Sequence, residues 1–157
     1  MKEWNLNKKI DDNYPHVLLQ KYADGLTTQT DGTLSGHVTE TIYNDSFGLP
    51  HISYSLHICL ARIKQSYRLF EVEQLRETVY PVKLKIFFYT GAEEFNGLQN
   101  VKELETKLDE LVSSPGVSML INHFLNLSNL KDEDEDLRSI KNKLSDDLPN
   151  KEKLGEL

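Results

Sequence analysis

The sequence is poor in cysteine: Cys59 is the single one among 157 residues, so no internal disulfide can form. Secreted scaffolds held together by disulfide bridges are thereby excluded. The stretch 1–14 lacks the apolar core of a signal peptide. No segment approaches the ~20 consecutive apolar residues that a membrane-spanning helix needs. These absences predict a cytoplasmic protein without a membrane partner.

Positive charge is scarce as well, because 18 Lys and Arg stand against 25 Asp and Glu and leave a formal net charge of -7. An acidic chain repels phosphate backbones, so we expect no nucleic-acid partner. The same charge favours a basic protein as partner. Hydrophobic residues still make up 38% of the chain, which is enough for one domain with its own core.

Motifs for cofactors are missing too. The stretches 32–33 and 91–94 contain too few glycines to wrap a phosphate group. The acidic run KDEDED at 131–136 lacks the central glycine of an EF-hand calcium loop. His123 falls on a predicted helix and is interpreted as a surface residue rather than a ligand. We therefore expect no cofactor and no catalytic residue from a known motif.

What the sequence does contain is a long series of alternating apolar and polar residues. This period of two predicts about five strands, over 27–30, 33–43, 51–63, 67–74 and 80–89. The breaks between them are too short for helical crossovers, so we expect an antiparallel meander. Residues 91–99 are predicted to form a loop.

From residue 100 onward the apolar residues follow the helical period. Asn100 and Glu103 form a capping-box pattern at the start of a first helix, and Ser114 followed by Pro115 begins a second. The sequence thus predicts an α+β domain over 25–130 whose C-terminal helical hairpin packs on one sheet face. An N-terminal arm over 1–24, with a short helix over about 15–23, precedes this domain.

The segment 131–157 begins with the acidic run and continues as a predicted amphipathic helix. Its apolar residues recur close to helical spacing, and they are Leu137, Ile140, Leu144 and Leu148. Three interpretations stay open: a helix that docks on its own domain, a helix that binds a partner, or a frayed tail. In the second case these four residues are the interaction site.

The stretch 51–60, HISYSLHICL, places two histidines and the cysteine on one face of a strand. A hairpin centred on Phe47 aligns the apolar residues of its two strands and puts His37 opposite His57. A slip by two residues would keep the faces and change the partners, so this adjacency depends on the register. A second turn near Gln65 puts Glu73 opposite His57. Two imidazoles and one carboxylate suit zinc or non-haem iron, so these three residues are the candidate metal site.

The alternative interpretation is an ordinary solvated sheet face. Glu71 is expected opposite Lys83, and such a cross-strand ion pair is typical of a face in contact with water. Leu69, Phe87 and Tyr89 interrupt this face and are interpreted as a contact for the N-terminal arm.

Three classes of function are compatible with this sequence. The acidic charge and the absence of a catalytic motif favour a non-enzymatic protein-interaction module of inhibitor or immunity type. The alternative is a small-ligand-binding protein with a cleft between sheet and helices, lined by Tyr54, Tyr67 and Phe88. The third is a metal-dependent enzyme at the candidate metal site. A catalytic pair of Cys59 and His57 is disfavoured because neighbours at i and i+2 of one strand rarely face each other.

Overall fold

A computed structural model describes residues 13–129. Three helices and five strands follow one another in the order α1 (Pro15–Gln29), β1 (Ser35–Asn44), β2 (Pro50–Leu60), β3 (Gln65–Leu75), β4 (Val82–Phe88), β5 (Gly91–Leu98), α2 (Val101–Val112) and α3 (115–129). Each strand is antiparallel to the next, and the sheet order is β1-β2-β3-β4-β5. The predicted α+β fold, a five-stranded meander followed by two helices, is confirmed. None of the helices within 13–129 has the length and apolar character needed to cross a bilayer.

Two segments differ from the prediction. Residues 27–29, predicted to begin the first strand, are the last residues of α1, because the hydroxyls of Thr27 and Thr28 donate to the carbonyls of Ala23 and Asp24 one turn earlier. Residues 91–98, predicted to be a loop, form the edge strand β5. The number of strands was right, but the first predicted strand is helical and the fifth observed strand lies in the predicted loop.

The first helix belongs to the main core, and it is longer than predicted. Pro15 occupies its first turn, where a backbone N–H is not needed. Leu18, Leu19 and Ala23 are buried in the same apolar cluster as the sheet. The approach is closest at Gly36 of β1, where an added Cβ would lie 2.6 Å from the Cα of Ala23.

The predicted register of the first hairpin is confirmed throughout. The loop between β1 and β2 is centred on Phe47, and apolar residues meet apolar residues on the core face. Four of the predicted pairs are Ser35 with Cys59, His37 with His57, Val38 with Leu56, and Ile42 with Ile52.

The second hairpin turns earlier than predicted. The chain reverses through a 3-10 turn at Ala61–Ile63, and Lys64 takes the left-handed conformation with φ of 50°. A β-bulge at Leu69 then shifts the pairing, so that Phe70 faces Leu56 while Arg68 faces His57. The bulge turns Leu69 to the helix-covered side, where it is 4% exposed. The prediction that Leu69 lies on the solvated face is therefore wrong.

The pairing of β3 with β4 is displaced by two residues from the prediction. Glu71 faces Lys85, and Glu73 faces Lys83. Because a shift of two preserves the faces, the core composition is unaffected. The open face keeps its alternating acidic and basic residues, as a solvated sheet face is expected to do.

The helical hairpin begins as predicted. The Asn100 side chain accepts the N–H of Glu103 at 2.9 Å, and the Glu103 carboxylate accepts the N–H of Gln99 at 2.6 Å. Residues Leu104, Leu108 and Leu111 of α2 are buried, as are Val117, Leu120 and Phe124 of α3. All belong to one apolar cluster with the sheet.

Candidate functional site

The two predicted histidines are neighbours on the open sheet face. His37 and His57 lie opposite each other in β1 and β2, and their rings stack with centroids 5.4 Å apart. The Nε2 atom of His57 lies 3.0 Å from the Thr39 hydroxyl. The pKa of His57 is lowered, first by partial burial and then by the positive charges of His37 and Arg68. This ring is therefore held in its neutral form over a wider pH range than a free histidine.

Glu73, the third predicted metal ligand, does not join them. The earlier turn and the bulge place Glu73 opposite Ser53 and give His57 the cationic Arg68 as its neighbour in β3. Glu73 instead lies 3.4 Å from Nδ1 of His51. Within the part of the chain that the structure describes, no three His, Cys, Asp or Glu side chains are placed to hold a metal ion. The predicted convergence of His37, His57 and Glu73 is wrong.

Cys59 has an imidazole partner, and it is His37 rather than His57, whose pairing with Cys59 the sequence disfavoured. The Cys59 Sγ lies 3.0 Å from Nδ1 of His37, which is diagonal to it on the neighbouring strand. The Ser66 hydroxyl lies between Cys59 and the other histidine, 3.8 Å from the Cys59 Sγ and 3.5 Å from Nδ1 of His57. The thiol and the histidines thus form a polar cluster on a sheet face that none of the helices within 13–129 covers.

The loop between β1 and β2, residues 44–50, is organised by one carboxylate. Asp45 Oδ1 accepts the backbone N–H groups of Phe47 and Leu49, both at 2.9 Å. Two backbone bonds close the same loop: Asp45 N–H donates to Leu49 O at 2.9 Å, and Gly48 N–H donates to Asp45 O at 3.0 Å. Gly48 has φ of 80°, a value that favours glycine. Loop 44–50 therefore has one well-determined backbone conformation.

His51 supports this carboxylate from the first residues of β2. Its Nε2 lies 2.8 Å from Asp45 Oδ2, and its ring stacks on Tyr43 with centroids 5.2 Å apart. The pKa of Asp45 is lowered, chiefly by the His51 hydrogen bond and then by the Leu49 N–H. The charged form of Asp45 is thus the one that the loop requires.

Loop 44–50 presents apolar side chains to solvent. Phe47 is 89% exposed and Leu49 is 51% exposed, and Ile42 at the end of β1 is 58% exposed. Scattered surface apolar residues are common in folded proteins. An almost fully exposed phenylalanine on a hydrogen-bonded turn is less so, and the sequence pattern of a hairpin centred on Phe47 gives no indication of this exposure.

A cleft of about 740 Å³ opens between the three helices and the sheet. Leu56, Leu69 and Phe70 form its floor, and apolar residues of all three helices form most of its walls. Glu105 and Asp109 of α2 lie in its lining. The cleft is therefore apolar at its base and carries carboxylates on one side.

A tyrosine of α1 meets one of those carboxylates, that of Asp109, across the cleft. The Tyr22 hydroxyl donates to Asp109 Oδ1, and it lies 3.4 Å from the Glu105 carbonyl oxygen. The pKa of Tyr22 is raised, first by burial and then by its hydrogen bond to Asp109. The phenol is thus held protonated as a donor.

The residues predicted to line a cleft between sheet and helices lie elsewhere. Tyr54 is buried in the core, and its ring contacts that of His16 at a tilt. Tyr67 donates to the Phe87 carbonyl oxygen at 2.7 Å and packs on Phe124. Phe88 packs against the core cluster. The predicted interaction residues Leu137, Ile140, Leu144 and Leu148 lie outside the described residues.

Residues 1–12 of the predicted arm lie outside the described residues, so the contact between the arm and the open face stays a prediction. Phe87 does lie on that face, where the Arg68 guanidinium covers its ring at 4.1 Å. Tyr89 packs instead beside Tyr67 and Phe124. Within residues 13–129, Phe87 and Tyr89 therefore both contact other side chains of the domain.

No protein-family model matches this chain, and neither the curated proteins nor the solved structures contain a significant match.

Proposed function

We propose that the protein is a non-enzymatic interaction module that inserts Phe47 into an apolar pocket of a partner protein. The observation that carries this proposal is the loop itself: Asp45 fixes its backbone while Phe47 stands 89% exposed. Burying such a side chain is worth about 1.5–3 kcal/mol, and in this protein that free energy remains for an interface. Exposed aromatic anchors of this kind dominate the binding energy of many protein complexes.

The hydrogen bonds of Asp45 matter because they order the loop before any partner arrives. A loop that is already in its bound conformation loses less conformational entropy on association. Leu49 and Ile42 enlarge the apolar surface around Phe47. Loop 44–50 thus combines an anchor, apolar neighbours and a fixed backbone, as expected of an inhibitor-like binding loop.

The expected partner carries an apolar pocket with basic surroundings, because the chain has a formal net charge of -7. A catalytic role has less support. The thiol of Cys59 and the imidazole of His37 lie outside the cleft of the helix layer, whereas catalytic groups are usually found in concave sites.

The test is affinity capture from lysate of the source cells, with the full chain and with Phe47→Ser as baits. We expect a protein that the full chain captures and the variant loses, with affinity lower by about tenfold or more for the purified pair. Met119→Ser is the matched control, because Met119 is 73% exposed on α3 and lies outside loop 44–50. Light scattering on the same samples identifies a second copy of the chain as partner.

Asp45→Ala provides a second measurement on the same loop. It leaves the Phe47 side chain in place but removes the acceptor that holds the backbone, so the affinity is expected to fall through a less ordered loop. If every captured protein is retained by Phe47→Ser, the proposal is wrong. Retention by Phe47→Ser with loss in the double variant Ile140→Asp/Leu144→Asp would assign the interaction to the segment 131–157 instead.

A further inference from the structure

We infer that the cleft of the helix layer binds a small molecule that combines an apolar body with a protonated amine. Its volume of about 740 Å³ lies within the ~300–1,000 Å³ range of ligand sites. The site is separate from loop 44–50 and is independent of the function proposed for it.

A glycine keeps one wall of the cleft open. Gly25 lies within α1 and lines the cleft, and a Cβ added there would meet nothing within 4 Å. Its φ is not in the left-handed region, so the backbone does not require glycine. Glycine is also the weakest helix former after proline. At this position it costs helix stability and leaves volume in the cleft.

The β-bulge contributes to the floor of the same cleft. Without it, Leu69 would point to the open sheet face; with it, Leu69 lies beside Leu56 and Phe70 beneath the helices. Bulges commonly redirect a side chain next to a functional site. Two irregular features, one in a helix and one in a strand, thus shape a single apolar space.

The charges of the lining select the ligand's polar end. Glu105 and Asp109 contribute two negative charges and Lys21 contributes one positive charge, so the formal charge of the lining is -1 (1 − 2). Tyr22 donates a single hydrogen bond to Asp109, and a carboxylate can accept several. A protonated amine near α2 therefore completes the hydrogen bonding of this side, while the apolar body covers the floor.

The test uses the full chain and the neutral fluorescent probe 1-N-phenylnaphthylamine, which is displaced by decylamine or by decanoate. The two competitors share an alkyl chain and differ in charge. We expect saturable probe binding and about tenfold stronger displacement by the amine. Asp109→Asn, which keeps an acceptor for Tyr22, is expected to bind the probe normally and to lose most of the preference for the amine.

Gly25→Trp adds an indole to the lining at a position where the Cβ meets nothing within 4 Å, and it is expected to abolish probe binding. Thr28→Trp is its control, because Thr28 is exposed on the same helix and lies outside the lining. Ile121→Trp fills the cleft from α3 and gives an independent measurement, with circular dichroism to verify folding. Probe binding unchanged by both filling variants would overturn the inference, and equal displacement by both competitors would overturn the ligand class.

The segment 131–157 is the other occupant that the test detects. Its predicted apolar stripe includes Ile140 and Leu144. If the native chain fails to bind the probe and Ile140→Asp/Leu144→Asp binds it, the cleft holds the protein's own tail, and the inference of an external ligand is wrong.

Discussion

Replacing Gly36 by alanine tests how α1 lies on the sheet, and the expected cost follows from three distances. A Cβ at this position would lie 2.6 Å from Ala23 Cα, 2.7 Å from Ala23 O and 2.9 Å from Ala23 Cβ. Ordinary van der Waals contact begins at 3.4 Å, so the helix would have to move outward by about 0.8 Å (3.4 − 2.6). Two of the three atoms are backbone, so no side-chain rotation relieves the overlap.

The magnitude depends on what such a movement disturbs. Leu18 and Leu19 on the same helix are 5% and 0% exposed, so an outward shift loosens close-packed contacts along the whole buried side of α1. Overpacking a core costs about 1–3 kcal/mol, and a collision with backbone is expected at the upper end, about 3 kcal/mol. With a urea slope of about 2 kcal/mol per M, the unfolding midpoint falls by about 1.5 M.

The assay is urea unfolding followed by far-ultraviolet circular dichroism. Gly25→Ala is the matched control on the facing helix, where the new Cβ meets nothing within 4 Å and the midpoint should rise because alanine favours the helix by about 0.5–1 kcal/mol. Adding Ala23→Gly to Gly36→Ala removes only one of the three overlaps, so it should recover little stability. An unchanged midpoint for Gly36→Ala would refute this packing of α1 on β1.

Three further predictions concern other parts of the fold. Asn100→Ala removes the acceptor at the start of α2 and should cost about 1 kcal/mol in urea unfolding, whereas Glu103→Gln, which keeps an acceptor, should cost less. The pKa of His57 is lowered in the folded state from its ordinary value of 6.5. Its contribution to stability is therefore complete above pH 6.5 and falls as the pH drops through the folded pKa. A midpoint above pH 6.5 in an NMR titration of His57 would contradict this. Leu69→Gln should lower the free energy of unfolding by about 2–4 kcal/mol because it buries an amide. Arg68→Gln should lower it by no more than about 1 kcal/mol. A larger loss for Arg68→Gln than for Leu69→Gln would argue against the bulge.

The first hairpin could be predicted from the sequence because two independent constraints agree. Its loop is symmetrical about Phe47, and pairing the strands around that residue places the apolar residues of both strands on one face. One-sided burial makes a slip by one residue costly. The adjacency of His37 and His57 followed directly from this register.

The second hairpin could not be predicted because its irregularities leave no trace in composition. Lys64 adopts φ of 50°, a conformation for which the sequence offers neither glycine nor asparagine. The bulge adds Leu69 to β3 without a partner in β2, and a leucine is compatible with either face. The observed turn and bulge place Glu73 opposite Ser53 rather than His57, so the candidate metal site does not form.

The segments assigned to the wrong type of structure fail for different physical reasons. The threonine-rich end of α1 has weak helix propensity, but its hydroxyls bond to carbonyls one turn earlier and tertiary burial outweighs propensity. The strand β5 is an edge strand of which only Phe95 and Leu98 are partly buried. A strand exposed on both faces does not need alternation, so the period of two is absent.

Neither candidate site is a sequence motif, and the reasons are again physical. Asp45 followed by two backbone donors is an ordinary turn in sequence. What makes loop 44–50 distinctive is the 89% exposure of Phe47, and only the tertiary structure decides that. The cleft is lined from residue 18 to residue 125 by helices and strands, so its volume is a property of their packing. Gly25 is the one local indication. It lies inside a helix whose backbone does not require glycine, and a Cβ added there would meet nothing within 4 Å. The glycine is therefore explained by the space that it leaves in the cleft.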